Sequence, residues 1–320
     1  MFRFRAARAG ARFVSGAMIF AVGTGLMLHL GHVLFRELRQ VRRSAGTAQG
    51  ALLRPLPARI DGLATAAAQL SADRGAAVGG DLYDVIATEH GVRVVIGDVR
   101  GHGIGAVGTV AAVLGCFREA VHDEVELAGV LRRLDSALAR HLRRQATTGP
   151  DADTTVIEDF VTVLLLEIRR DGELRALNCG HPWPYLLGEG RAQPLTGADP
   201  LPPLGLFPLP SELPLVDCGR LRPGEALFLH TDGVTDARDD HGGFFPLPTA
   251  LAEAVRDRPS SPQSVLRAVF TQLLRHTRGR PADDVAMLVL CNDRRPSHAP
   301  VGARGTARPA TTNRQPTTNL

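Results

Sequence analysis

The sequence predicts an α+β domain preceded by one transmembrane helix, and three segments carry this prediction. Residues 81–88 (DLYDVIAT) and 92–99 (VRVVIGDV) are apolar segments that meet at His90-Gly91, a pattern typical of a β-hairpin. Residues 126–144 place leucine or valine at spacings of three and four, with arginines on the other face, which predicts an amphipathic helix. Residues 13–35 are largely apolar and carry no formal charge.

The composition excludes several classes of protein. The 320 residues are enough for one large domain or two ordinary ones, and they include no lysine. A Walker-type phosphate loop, a Schiff-base enzyme and an ordinary kinase all need a lysine and are therefore excluded. Arginines are concentrated in residues 1–45 and 293–320, so the central part of the chain is acidic. An acidic domain argues against nucleic acid as the main ligand and favours the binding of metal ions.

Four cysteines are spread widely along the chain. Their spacing matches neither a zinc site nor a Cys-x-x-Cys pair. Each cysteine lies in or beside an apolar segment, so we expect reduced core thiols, as is typical of a cytosolic domain. They are Cys116, Cys179, Cys218 and Cys291.

The apolar segment 13–35 is predicted to cross the membrane, between a basic flank (1–12) and a charged linker (36–48). At about 1.5 Å per residue, a helix of this length spans a bilayer core. The alternatives are a signal peptide, which usually has a shorter apolar region followed by a cleavage site, and a buried soluble helix. Arginines flank both ends, so charge does not determine the orientation. The expected location is the cell membrane, single-pass, with the following domain in the cytoplasm.

Small residues recur at every fourth position of the predicted span. Ala17, Ala21 and Gly25 would lie on one face of the helix. Such a face is typical of paired membrane helices. Formation of a homodimer is therefore a hypothesis that the sequence raises.

The rest of the chain is predicted to form one folded domain over residues 49–292, followed by a disordered tail over 293–320. The tail is rich in arginine, proline, threonine and asparagine and has no apolar period. Within the domain, residues 200–214 form a proline-rich connection. The predicted strands are 63–70, 81–88, 92–99, 160–168, 174–180, 184–190, 191–195, 226–230 and 285–290, and the predicted helices are 104–121, 126–144, 247–257 and 262–278.

Aspartates stand at the ends of four of these predicted strands, next to glycine or another acid. Asp81 precedes one strand, Asp98 and Asp232 follow two others, and Asp283 precedes the last. Carboxylates placed in this way can converge at one edge of a sheet sandwich, where they repel one another unless cations neutralise them. Hard oxygen ligands suit Mg²⁺ or Mn²⁺, and two such ions can activate a water for attack on a phosphoryl group.

Several motifs in the same order resemble a known family. They are AVGGDLYDV, IGDVRGHGIGA, FVTVLLLEI, LNCGHPWPYLL, LRPGEALFLHTDGVTDAR and DDVAMLVL. Together they resemble the metal-dependent serine/threonine phosphatases of the protein phosphatase 2C type. The branch is similar to bacterial stage II sporulation protein E and to the phosphatases that dephosphorylate anti-sigma factor antagonists. With the predicted span, the chain resembles a membrane-anchored actinobacterial member.

The resemblance implies a four-layer α-β-β-α sandwich with two antiparallel sheets and a metal centre at one end. It implies two Mn²⁺ or Mg²⁺ ions bridged by Asp98, with the backbone carbonyl of Val99 helping to hold one ion. Asp232 and Asp283 would complete the other site. Asp81 would lie in the same cluster and would bind metal directly or through water.

Further residues are candidates for a role in catalysis or phosphate binding, and each has a structural alternative. His102 is a candidate general acid for the serine leaving oxygen, or a residue packed in the glycine-rich turn. Arg74 and Arg100 are candidate phosphate ligands, or ordinary surface arginines. His181 is expected to be structural, and Asp284, the acid adjacent to Asp283, is expected to cap a strand.

The implied function is a membrane-anchored phosphatase that hydrolyses phosphoserine or phosphothreonine with a water activated by two metal ions. Its expected partner is a phosphorylated protein such as an anti-sigma factor antagonist, and nucleic acid is not expected. The alternative is a catalytically silent, membrane-tethered module of the same fold that binds a phosphoprotein. The acidic residues at all the ligand positions argue against that alternative. A metal-dependent nuclease is a third hypothesis, and the acidic domain argues against it.

Overall fold

The computed structural model describes residues 54–71, 79–100, 104–148, 160–256 and 261–294. In chain order, the strands are β1 (Arg59–Ile60), β2 (Leu63–Leu70), β3 (Asp81–Thr88), β4 (Gly91–Val99), β5 (Val161–Ile168), β6 (Glu173–Cys179), β7 (Tyr185–Gly188), β8 (Arg191–Pro194), β9 (Val216–Arg220), β10 (Ala226–His230) and β11 (Val285–Asn292). The helices are α1 (Ile104–Asp123), α2 (Leu127–Thr148), α3 (Asp232–Thr235), α4 (Leu247–Ala254) and α5 (Pro262–His276).

The strands form two antiparallel sheets, as expected. One sheet has the order β1-β2-β11-β10-β7-β8, and the other has the order β3-β4-β5-β6-β9. Helices α1 and α2 pack on the outer face of the five-stranded sheet. Helices α4 and α5 pack on the outer face of the six-stranded sheet. The α+β class and the α-β-β-α layering are thereby confirmed.

Alternating side chains of β4 explain why this strand is buried on both faces. Val92, Val94 and Ile96 pack between the two sheets. Val95 and Val99 point the other way and pack under α1 and α2. Successive side chains of a strand point to opposite faces, so a nearly continuous apolar segment suits a strand that is covered on both sides.

Most elements agree with the sequence predictions, and three were not predicted, of which β1 (Arg59–Ile60) has only two residues. The β3–β4 hairpin turns at His90-Gly91, as expected. Strand β9 was not predicted, because it is a short edge strand of mainly exposed or polar residues after a proline-rich connection. Helix α3, a single turn that begins at Asp232, was also not predicted.

The predicted single-pass membrane location is corrected here. In the part of the chain that the structure describes, no helix combines the length and the apolar character needed to cross a membrane. The predicted span 13–35 lies outside the described residues, as do the basic flank and the linker. Asp293 and Arg294, assigned to the tail, are described, and Arg294 donates hydrogen bonds to the carbonyls of Asp61 and Arg169.

All four cysteines are free thiols, which agrees with the expected reduced state. Only Cys179 is buried. The other three are half-buried, so the prediction that all four lie in the core is corrected. Burial raises the pKa of the Cys179 thiol to about 12, and the nearby Asp135 adds to the effect.

Candidate metal centre

The β3–β4 hairpin brings the first two candidate aspartates together. Asp81 begins β3, and its Cα pairs directly with that of Asp98 near the end of β4. Directly opposed residues of antiparallel strands project to the same face of the sheet. The side chain of Asp81 is almost completely buried, at 1% exposure, while Asp98 is half-buried. A buried carboxylate pair of this kind is costly unless another group compensates its charge.

The other acidic residues lie at the matching end of the six-stranded sheet. Strand β10 ends at His230 and is followed by Thr231 and Asp232. Asp283 and Asp284 immediately precede β11, which is the antiparallel neighbour of β10. The end of β10 therefore lies beside the start of β11.

Two hydrogen bonds join these sheet ends to each other. The hydroxyl of Thr231 donates to Oδ2 of Asp81 at 3.1 Å. The backbone N–H of Gly80 donates to Oδ2 of Asp284, also at 3.1 Å. Thr231 Oγ1 in turn accepts the N–H of Ala286 at 2.9 Å. The acidic residues of both sheets are thus held at one edge of the sandwich.

Two glycines permit the close approach of these segments. A Cβ on Gly80 would collide with the carbonyl oxygen of Val99 and with Oδ1 of Asp98, so both oxygens lie beside this residue. A Cβ on Gly233 would collide with the backbone oxygen of Asp284. Only glycine fits at either position without a shift of the backbone.

The electrostatics of the cluster show an excess of negative charge. Burial raises the pKa of Asp98 to about 8, and repulsion from Asp232, Asp283 and Asp284 adds to the effect. Burial, together with repulsion from Asp98 and Asp284, also holds the pKa of Asp81 well above its usual value, although the Thr231 hydrogen bond acts against this. The pKa of Asp232 is raised by burial and then by Asp283.

The donor atoms at this edge fit hard divalent cations. Carboxylate and backbone carbonyl oxygens are the ligands that Mg²⁺ and Mn²⁺ prefer, and cations would offset the repulsion that raises the pKa of Asp98. Within the described ranges, no group of three or more His, Cys, Asp or Glu side chains is already arranged to hold one ion. Like charges repel, so close approach of the carboxylates becomes favourable only when a cation lies between them.

One edge of the sandwich holds all five candidate metal ligands, namely Asp81, Asp98, Val99, Asp232 and Asp283, and their roles as ligands stay predictions. Arg100 is exposed beside them, with its guanidinium 5.1 Å from the centre of the Phe160 ring. His102 and Arg74 lie outside the described residues, so their predicted roles stay predictions.

Three polar residues near the cluster were missed or given too small a role. Asp284 hydrogen-bonds to the opposite sheet, which goes beyond the capping role considered for it. Thr231 was missed, although its place directly before the Asp-Gly pair is a signal that the sequence contains. Thr162 was missed because its contact with Asp98 depends on the β4–β5 register, which no local pattern reveals.

Comparison with known proteins gives a consistent result. The family model described as stage II sporulation protein E matches residues 88–293. Phosphoserine phosphatase RsbP of Bacillus subtilis (strain 168) is 28% identical over 227 residues, which are 68% of this chain and 48% of that protein. The chain thus spans about half the length of this curated relative.

Two solved structures share the fold. The SiaA-PP2C domain of Pseudomonas aeruginosa matches with a TM-score of 0.63 and 20% identity, covering 81% of this chain and 98% of that one. The PP2C phosphatase domain with a fragment of the regulatory domain of SpoIIE from Bacillus subtilis matches with a TM-score of 0.54 and 17% identity, covering 72% and 62%. Since the family model covers more than half of the sequence, the chain belongs to the stage II sporulation protein E family.

Proposed function

We propose that this protein is a serine/threonine phosphoprotein phosphatase that depends on two Mn²⁺ or Mg²⁺ ions. The observation that carries the proposal is the convergence of acidic residues from both sheets at one edge, where burial and then repulsion raise the pKa of Asp98 to about 8. Such a cluster suits cations rather than an anionic or apolar ligand. Membership of the family and the similarity to a protein named phosphoserine phosphatase support the same activity.

In this proposal the residues have distinct roles at the metal centre. Asp98 would contribute to both ion sites, and the backbone carbonyl of Val99 would help to hold one ion. Asp232 and Asp283 would hold the other ion, and Asp81 would bind an ion directly or through water. The ions would supply activation of the attacking water and neutralisation of the phosphoryl charge.

Groups of the chain itself would position the reactants. The Thr231 hydroxyl donates to one oxygen of Asp81, which fixes the carboxylate and orients its other oxygen for binding. Arg100 is exposed next to Val99 and is proposed to bind the phosphate of the substrate. Arg74 is proposed for the same role, and His102 is proposed to donate the proton to the serine leaving oxygen.

The proposed substrate is a phosphoserine or phosphothreonine on a regulatory protein, such as an anti-sigma factor antagonist. Among the described residues, Asp283 and Arg100 are exposed at this edge, and an exposed edge suits a protein substrate better than an enclosed pocket does. The name of the relative RsbP supports phosphoserine as the reacting group. The hypothesis of a homodimer stays a prediction.

Hydrolysis of a phosphoserine protein by the full chain tests the proposal. We expect phosphate release with Mn²⁺, none with EDTA, and a loss of at least about 100-fold in kcat for Asp98→Asn, since that variant weakens the binding of both ions. The matched control is Glu89→Gln, which changes a carboxylate at the other end of the same hairpin whose side chain is 80% exposed. It should retain normal activity.

Two outcomes would contradict the proposal in different ways. Metal-independent hydrolysis, or full activity of Asp98→Asn, would exclude the metal centre as the catalytic site. Binding of Mn²⁺ without any hydrolysis would instead favour the silent phosphoprotein-binding module, which no observation in the structure favours at present.

A further inference from the structure

His181 occupies the connection that passes from the five-stranded sheet to the six-stranded sheet. It lies two residues after the end of β6 and precedes β7. Its backbone is fixed by Asn178, whose side chain accepts the N–H of His181 and donates to its carbonyl oxygen, both at 2.8 Å. The imidazole is buried, at 3% exposure, between the two sheets. The backbone that carries the ring is therefore fixed by its own loop.

The partners of the two ring nitrogens determine the tautomer. Nε2 lies 3.1 Å from the carbonyl oxygen of His230, which can only accept, so Nε2 carries the hydrogen. Burial lowers the pKa of His181 to about 3, so the ring is neutral and Nδ1 is an acceptor. Nδ1 lies 3.1 Å from Oγ1 of Thr162, which must therefore donate to it.

Thr162 extends this chain of hydrogen bonds to the metal centre. Its Oγ1 accepts the backbone N–H of Asp98 at 3.2 Å, and the two residues are paired across β4 and β5. The hydroxyl also lies 3.4 Å from the carbonyl of Asp98, but its single hydrogen has a shorter contact with Nδ1. The order is thus Asp98 N–H to Thr162 Oγ1–H to His181 Nδ1, and His181 Nε2–H to the carbonyl of His230.

The two ends of this chain belong to different halves of the metal centre. Asp98 is the central carboxylate on the five-stranded sheet. His230 is the last residue of β10 and lies two positions before Asp232, on the six-stranded sheet. A neutral histidine has one donor and one acceptor nitrogen. It can therefore accept from the Thr162 hydroxyl on one side and donate to the carbonyl of His230 on the other.

We propose that His181 is a positioning residue that sets the separation of the Asp98 and Asp232 halves of the metal centre through its hydrogen bonds to Thr162 and His230. This inference rests on the proposed function, because it concerns the same metal ions. It assigns to the histidine of the LNCGHPWPYLL motif a role in metal affinity, in addition to a role in folding.

Substitution of Thr162 gives the most direct test, because Thr162→Val keeps the side-chain shape and removes only the hydroxyl. Calorimetric titration of the full chain with Mn²⁺ should give a Kd raised by about ten-fold for this variant, the size of effect that supporting hydrogen bonds have at metal sites. Thr162→Ser keeps the hydroxyl and should bind Mn²⁺ within about two-fold of the original chain. The matched control is Thr88→Val, which removes a half-buried hydroxyl at the other end of the β3–β4 hairpin and should leave the Kd unchanged.

A second variant tests the histidine itself. His181→Phe keeps a ring and removes both nitrogens, and we expect a loss of Mn²⁺ affinity at least as large as that of Thr162→Val. If both residues act through one chain of hydrogen bonds, the double variant should bind no more weakly than His181→Phe alone. In hydrolysis assays, excess Mn²⁺ should restore much of the kcat of Thr162→Val, since the loss lies in metal binding.

The outcomes separate this inference from the proposed function. A lower melting temperature of Thr162→Val with an unchanged Kd for Mn²⁺ would overturn the positioning role, because the bridge would then serve stability alone. A strictly additive effect in the double variant would also overturn it. Failure of the unsubstituted chain to bind Mn²⁺ would instead overturn the proposed metal centre itself.

Discussion

At the edge of the sandwich that carries the candidate metal centre, steric fit restricts the residue at some positions as strongly as charge does at others. Gly233 follows Asp232, and a Cβ there would overlap the backbone oxygen of Asp284. Gly115 is a contrasting glycine, since it is exposed in the middle of α1 and a Cβ there would meet nothing within 4 Å. The first glycine is needed by the site, whereas the second only weakens a helix.

Alanine at these two positions should have opposite effects on stability. We expect Gly233→Ala to lower the free energy of unfolding by about 1–3 kcal/mol, because the backbone must shift to accept the methyl group. We expect Gly115→Ala to raise it by about 0.5–1 kcal/mol, since alanine loses less conformational entropy in a helix. Urea denaturation of both variants measures the difference. Equal effects on stability would mean that the close contact at Gly233 is not structurally important.

The sequence identifies the candidate acidic residues but not their supporting contacts, and the roles of these residues as metal ligands stay predictions. Asp81, Asp98, Asp232 and Asp283 were identifiable because each stands at a strand end beside glycine or another acid. The supporting role of Asp284 and the contacts of Thr162 depend on how two sheets face each other, which local patterns do not encode. The approach of Gly80 to Asp284 is a contact of this kind.

At the scale of elements, a buried arginine ties β4 to the end of α1. Arg93 is fully buried and forms an ion pair with Glu167 of β5 at 2.8 Å. It also donates to the carbonyl of Val121 at 3.0 Å and to those of Glu124 and Val125. These carbonyls lie at or just after the end of a helix, where intrahelical donors are lacking. One side chain therefore satisfies a helix end and a buried carboxylate together.

Loss of this arginine should strongly destabilise the fold. We expect Arg93→Met to lower the free energy of unfolding by about 3–5 kcal/mol, because the buried carboxylate of Glu167 would lose its ion pair with Arg93. The control is Arg220→Met, which removes an ion pair with Asp171 whose side chains are 61% and 50% exposed, and should cost no more than about 1 kcal/mol. Chemical denaturation measures both. A cost below that of Arg220→Met would contradict the assigned role of Arg93.

Elements with a clear pattern of apolar residues could be predicted from the sequence. Elements that form only by pairing with a neighbouring strand could not. Apolar segments on both sides of His90-Gly91 mark the β3–β4 hairpin, apolar residues recur at every third or fourth position in α2, and the sequence predicted both elements. Strand β9 has mostly exposed residues and exists because it pairs with the edge of β6. Its pairing is a property of the sheet rather than of its own residues.

Over the whole molecule, the burial of His181 between the sheets makes its contribution to stability depend on pH. Its pKa is about 3 in the folded protein and 6.5 in an ordinary setting, so below pH 6.5 the unfolded chain binds a proton that the folded protein does not. Stability from the neutral ring is therefore complete above pH 6.5 and is lost as the pH falls towards 3. Stability thus falls with falling pH, as expected for a base whose pKa is lower in the folded protein than in the unfolded chain.

The cost of replacing this histidine should therefore shrink in acid. We expect the destabilisation by His181→Phe to be largest at pH 7 and to fall by about 1.4 kcal/mol per pH unit once the pH is well below 6.5. Titrating groups remote from the ring remain the same in both proteins and cancel in the comparison, whereas His230 is coupled to His181. The control is Trp183→Phe, which removes a hydrogen bond to the carbonyl of Ala198 but no titrating group, and its cost should not vary with pH. A cost of His181→Phe that is constant from pH 7 to pH 5 would contradict the buried neutral ring.

The central claim is that carboxylates of both sheets form one binuclear metal centre. Anomalous diffraction from crystals of the full chain grown with Mn²⁺ tests it most directly, because the ions are located without reference to activity. We predict two Mn²⁺ peaks at the edge where β4 and β10 end, with Asp98 in contact with both. Mn²⁺ bound only elsewhere on the protein, or one ion that does not contact Asp98, would contradict the claim.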